Sequence, residues 1–68
     1  MNITLNGKTQ PAPDGATLAA LLAQNDISGA TTGVAVAVND AVVPRRQWPE
    51  VHLRDGDSVE VIHAVQGG

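Results

Sequence analysis

The sequence predicts an α+β domain: a mixed sheet of four to five strands with one main helix packed on one face. Three observations carry that expectation. The segment Met1–Leu5 alternates apolar and polar residues, meets Asn6-Gly7, and is followed by Lys8–Gln10, the pattern of a β-hairpin. Leu18, Leu21 and Leu22 then stand at helical spacing. Two β-type segments, Val34–Val38 and Ser58–Val65, occupy the second half of the chain.

Each element has a local reason. Asn6-Gly7 suits a type I′ turn, which needs positive φ at both central positions. Pro11 and Pro13 are expected to end the returning strand, and Asp14-Gly15 to make a second turn. Thr17 reads as a helix N-cap. The alanines among the leucines favour helix and let its axis approach a sheet. Asn25-Asp26 is expected to close the helix, with Ile27 tucked against the core. Ser28–Gly33 is small, polar and glycine-rich, hence a loop.

Val34–Val38 is apolar on both faces, which suits a central strand. Asn39-Asp40 is a turn, and Ala41–Val43 a short strand stopped by Pro44. Arg45–Trp48 reads as one helical turn before Pro49. Val51 and Leu53 alternate with polar neighbours, suggesting another short edge segment. Asp55-Gly56-Asp57 turns into the last strand, on which Val59, Val61, His63 and Val65 share one face. The first and last strands are expected to be neighbours in the middle of the sheet. Residues 1–65 form the body and 66–68 a flexible tail.

Composition narrows the function. With 68 residues and no cysteine, the chain has neither a disulfide framework nor a cysteine metal site. Its 43% hydrophobic content at a net charge of −3 is that of a folded domain, not a disordered one. Four basic residues and a single aromatic argue against nucleic acid as a partner. No apolar run reaches membrane-spanning length, and a cytoplasmic location is expected. No nucleophile–base–orienter set is visible: Ser28 and Ser58 have no histidine nearby in sequence, and His52 and His63 lack metal-ligand spacing. No metal is expected.

The chain ends Gln66-Gly67-Gly68. With no Cβ on either glycine, such an end can enter a narrow cleft and present an unhindered carboxylate. The plain reading of a Gly-Gly end is a frayed terminus or the stub of a linker. Without cysteine the chain forms no persulfide of its own, so any covalently carried sulfur needs another group. The terminal carboxylate is the obvious one.

Taken together these residues resemble the ubiquitin-like β-grasp family and, within it, the ThiS sulfur carriers of thiazole formation in thiamin biosynthesis. Asp57 to Gly68 resembles the last strand and tail of ubiquitin-like proteins. Ala37-Val38-Asn39 followed by Val43-Pro44-Arg45-Arg46-Gln47-Trp48 resembles the strand–turn–strand pattern of the ThiS group. Arg54-Asp55-Gly56-Asp57 resembles its final turn, and Thr17-Leu18 with Leu21-Leu22 its helix start. The resemblance spans nearly the whole chain. One departure is Val65-Gln66, where many relatives carry a small or aliphatic residue before the glycines.

The resemblance implies a protein co-substrate, not an enzyme. Gly68 would be adenylated and converted to a thiocarboxylate, with Gly67 and Gln66 threading a partner's active site. No cofactor would be bound by the chain itself; ATP would be used by a ThiF-like adenylating enzyme. Sulfur would come from a persulfide donor of the cysteine desulfurase type and be drawn off by a ThiG-like thiazole synthase. Val65, His63 and Arg45 would form the partner-binding surface. His63 also reads as a partly exposed strand residue, and Arg45 as a solvated charge after a strand. Trp48 reads as a cap on the small core or as a binding hot spot. The alternatives to a thiazole carrier are a MoaD-like carrier for molybdopterin or another sulfur-containing metabolite, and a ubiquitin-like modifier or docking module.

Overall fold

The computed structural model describes residues 1–63. Strands β1 (Asn2–Leu5) and β2 (Lys8–Pro11) are followed by helix α1 (Leu18–Gln24), then β3 (Val34–Val38) and β4 (Ala41–Val42). A 3₁₀ segment, Arg45–Glu50, leads to β5 (Ser58–His63). The five strands form one sheet in the order β2-β1-β5-β3-β4. β5 runs parallel to β1 and antiparallel to β3, so first and last strands lie side by side at the centre.

Local chemistry explains the turns and caps. Asn6 and Gly7 both hold positive φ, 48° and 83°, as the two-residue hairpin requires. Asn39 and Asp40 repeat that geometry between β3 and β4, with φ of 49° and 70°. The Thr17 hydroxyl accepts the Ala20 N–H at 3.1 Å and caps α1. At the other end the Ile27 N–H bonds Leu22 O and the Asp26 N–H bonds Ala23 O, with Asp26 left-handed at φ 64°. That is a Schellman closure, and it draws Ile27 into the core.

α1 covers one face of the sheet. Leu18, Leu21 and Leu22 pack with Ile3, Val36, Val59 and Val61, and Ile27, Trp48 and Leu53 close the cluster. Leu18, Leu22, Ile3 and Val59 have no exposed surface. Aliphatic side chains thus fill most of a core that has one aromatic residue.

Three expectations from the sequence are corrected. β2 continues through Pro11, which stands opposite Asn2 on the outermost strand, where its missing N–H leaves no ladder bond unmade. The turn at Arg45 does not stop at Pro49; it runs to Glu50 as a 3₁₀ helix. Val51–Leu53 is not a strand of the sheet. Leu18 N–H bonds Val51 O at 2.8 Å and Leu53 N–H bonds Ala16 O at 2.9 Å, so the segment is tied to the entrance of α1. Leu53 alternates because it is buried under the helix start, not because it lies at a sheet edge.

Asn6 has a second role. Its backbone N–H bonds Val59 O at 2.9 Å, and its side chain then replaces the next residue of β1. Oδ1 accepts the Val61 N–H at 2.8 Å and Nδ2 donates to Val61 O at 3.4 Å. The β1–β5 ladder therefore ends on a side-chain amide. Asn6→Gly keeps the turn but orphans the buried Val61 N–H, an expected loss of about 1–2 kcal/mol. Asn6→Ala is expected to lose about 1 kcal/mol more for holding positive φ with a Cβ. Urea unfolding of both variants checks the order; equal losses would mean that backbone strain contributes nothing here.

Candidate functional site

β5 delivers the chain to its C-terminal end, and the elements beside it shape the surface from which that end departs. Along β5 the side chains alternate: Val59 and Val61 face α1, while Ser58, Glu60 and Ile62 lie on the opposite face. Ile62 breaks the polar pattern of that outer face and is 56% exposed. Its cross-strand partner is Ala35, and Glu60 stands beside Ala37, which in turn pairs with Val42. A shallow groove of about 330 Å³ lies here, lined by Gly33, Val34, Ala35 and Ile62. At the root of the tail the sheet thus carries a small apolar patch bordered by one carboxylate.

His63, the last described residue, pairs with Val34 across β3–β5 and is exposed. It shares the face of Val59 and Val61 but stands at the end of that face. Arg45 lies elsewhere and is held within the fold. Its Nη1 donates to Gly29 O at 2.7 Å and approaches Ser28 O at 3.5 Å, while its guanidinium carbon lies 5.0 Å from the Trp48 ring centroid. Half-buried, it staples the loop after α1 to the 3₁₀ segment, which gives a third reading beside the solvated charge and the partner anchor. Trp48 is 2% exposed, with its indole N–H donated to Val43 O at 3.1 Å. It belongs to the core. Val65, Gln66, Gly67 and Gly68 lie outside the described residues.

Elsewhere the described residues form no reactive constellation. His52 Nδ1 lies 3.2 Å from Gly15 O, and the Ser28 hydroxyl accepts the Ala30 N–H. No group of three or more His, Asp or Glu side chains among them is placed to hold a metal ion. No helix among them is long and apolar enough to cross a membrane. Sequence reasoning missed the Ile62–Ala35 patch and the side-chain end of the β1–β5 ladder. An isoleucine out of phase with two buried valines was the available signal for the first.

Comparison with known proteins decides what kind of domain this is. The ThiS family model matches residues 3–68. The chain belongs to the ThiS family. It is similar to the sulfur carrier protein ThiS of Escherichia coli strain K12, 35% identical over the full length of both chains. It is also similar to a protein of Magnetococcus marinus named thiazole synthase, 41% identical over the whole of this chain but only 20% of that longer one. The crystal structure of the thiamine biosynthesis protein ThiS from Geobacter metallireducens superposes with a TM-score of 0.82 at 28% identity, each chain fully covered. The mixed sheet with one covering helix is the ubiquitin-like β-grasp of the ThiS proteins, and the family match extends through both terminal glycines.

Proposed function

We propose that this chain, a ThiS-family sulfur carrier of thiamin biosynthesis, holds its cargo on the Gly68 carboxylate. A free carboxylate at neutral pH is a poor electrophile and needs a leaving group. A carboxylate oxygen attacks the α-phosphorus of ATP, pyrophosphate departs, and an acyl adenylate results. The terminal sulfur of a persulfide donor attacks the carbonyl carbon and displaces AMP. Cleavage of the sulfur–sulfur bond by a thiol leaves the thiocarboxylate, a good nucleophile that a thiazole-forming enzyme consumes. The carrier supplies the carboxylate and the docking surface, and partner enzymes supply the catalysis.

The observation that carries this reading is the family match running to Gly68 in a chain without cysteine. ATP enters through a ThiF-like adenylating enzyme, and sulfur through a desulfurase-type persulfide. A ThiG-like thiazole synthase as recipient is supported by the Magnetococcus marinus protein, in which a segment similar to this whole chain lies within a protein named thiazole synthase. The partner-facing residues are His63, the last of β5, and Val65 beyond it in the sequence, with Gln66 and Gly67 entering the active site and Arg45 of the 3₁₀ segment as a more distant contact. The apolar Ile62–Ala35 patch is continuous with the tail root and belongs to the same docking surface.

Intact-mass measurement after incubation with ATP, the cognate adenylating enzyme and a persulfide donor tests the route. One oxygen is expected to be exchanged for one sulfur, localised by fragmentation to Gly68. Localisation is required because oxidation of Met1 shifts the mass almost equally. Adenylation without sulfur transfer would favour a modifier role. Absence of activation with the cognate enzyme present would leave a docking module.

A further inference from the structure

We propose that the edge of β5 beyond Val61, on its β1 side, is a rail for an extended strand of the enzyme that activates the tail. The inference rests on the reading of Gly68 as the activated group. Backbone groups of β5 alternate in direction. Val61 points its N–H and C=O toward β1, where the Asn6 side chain takes both. Ser58 points the other way, its carbonyl accepting the Asn39 N–H at 2.7 Å beside β3. His63, two residues beyond Val61, therefore turns its N–H and C=O to the β1 side.

Nothing among the described residues meets them there. β1 pairs with β5 only through Thr4–Ser58 and Leu5–Val59, and after Asn6 the chain turns back into β2. On its other side His63 still has β3, in register with Val34. One edge of this strand is thus held by the sheet while, among the described residues, the other is open. An open edge beside a held one is a template for strand addition, in which main-chain bonds supply affinity.

Reach identifies the occupant. Five residues, 64–68, follow His63, and a fully extended chain spans at most about 3.5 Å per residue, or about 17 Å in all. An enzyme holding Gly68 at its reacting centre must place its surface within that distance of the His63 backbone. An extended segment of that enzyme fits the open edge and would align the tail along its path into the active site. The Asn6 amide acts as the end stop: it satisfies Val61 without supplying a further backbone residue that would occupy the next position.

The test separates backbone from side chain. Proline at an edge position whose N–H faces outward is tolerated by a strand, so His63→Pro removes the proposed donor while sparing the bonds to β3. His63→Ala keeps the donor and removes the imidazole. In ATP–pyrophosphate exchange with the cognate adenylating enzyme, His63→Pro is expected to raise the KM for the carrier about tenfold with little change in kcat. His63→Ala, which loses the imidazole contact but keeps the donor, is expected to raise it clearly less than His63→Pro does. Equal KM values for the two variants would overturn the proposal. A second measurement needs no variant: the His63 amide should exchange rapidly in the free carrier and become protected in its complex with the enzyme, without ATP. An amide that stays unprotected on binding would overturn the rail. A complex that protects it while Gly68 is never adenylated would sink the Gly68 route and leave the rail standing.

Discussion

A chain lacking Gly68 is expected to accept no detectable sulfur while unfolding at the same temperature as the parent. The shortened chain still ends on a carboxylate, that of Gly67, so chemical reactivity alone is not removed. Position is. One residue of extended backbone is about 3.5 Å, and a misplacement of about 1 Å already costs on the order of a hundredfold in rate. Adenylation should therefore fall by at least about a hundredfold, read as pyrophosphate exchange, and the mass shift should disappear. Stability should not move, because among the described residues the core cluster draws on none beyond Val61. Retained sulfur acceptance in the truncated chain would show that the tail is read by its chemistry and not by its length. The same truncation leaves the His63 edge in place, so docking and activation can be measured separately.

The second large effect is structural. Trp48→Ala is expected to unfold a large fraction of the protein at room temperature. Truncating a buried tryptophan costs about 3–5 kcal/mol through lost transfer energy and the cavity left behind. At roughly 0.05–0.15 kcal/mol per residue, this chain has about 3–10 kcal/mol in total. The indole also has two tasks that alanine lacks: it donates to Val43 O and it lies under the Arg45 guanidinium. Losing it frees the 3₁₀ segment from Val43, just after β4, and removes the ring beneath the Arg45 guanidinium. Trp48→Phe keeps most of the apolar area and loses the hydrogen bond, so a smaller loss of about 1–2 kcal/mol is expected. Urea titration followed by circular dichroism checks both, because the variants have no tryptophan fluorescence to follow. A loss below about 1 kcal/mol for the alanine variant would mean that the ring covers the core without filling it.

Much of this fold was legible in short stretches. Asn6-Gly7, Thr17 with its leucines, and Asn25-Asp26-Ile27 each encode their geometry within a few residues, and each is found as read. The reason is physical: turn dihedrals, caps and Schellman closures depend on neighbours less than six positions away. The errors lie where a distant partner overrides the local signal. Val51–Leu53 has the alternation of a strand, yet its backbone bonds go to Ala16 and Leu18 at the helix entrance. Pro11 looks like a stop until its edge position shows that no N–H is needed there.

Candidate function divides in the same way. The terminal glycines, the absence of cysteine and the Val-Pro-Arg…Trp segment were enough to point to a sulfur carrier, and the family match agrees. They could not show how Arg45 is held, because Gly29 lies 16 positions away and reaches it only after α1 has packed. Nor could they show that Ile62 meets Ala35, or that Asn6 ends a ladder 55 positions further along the chain. The sequence by itself determined the turns, the helix, the apolar faces of β1 and β5 and the Gly-Gly end of the chain. Only the tertiary structure decided which edge of β5 meets no partner among the described residues, which basic residue is tied down and which apolar side chain of β5 faces outward. Those outcomes depend on strand order and register, which long-range packing sets.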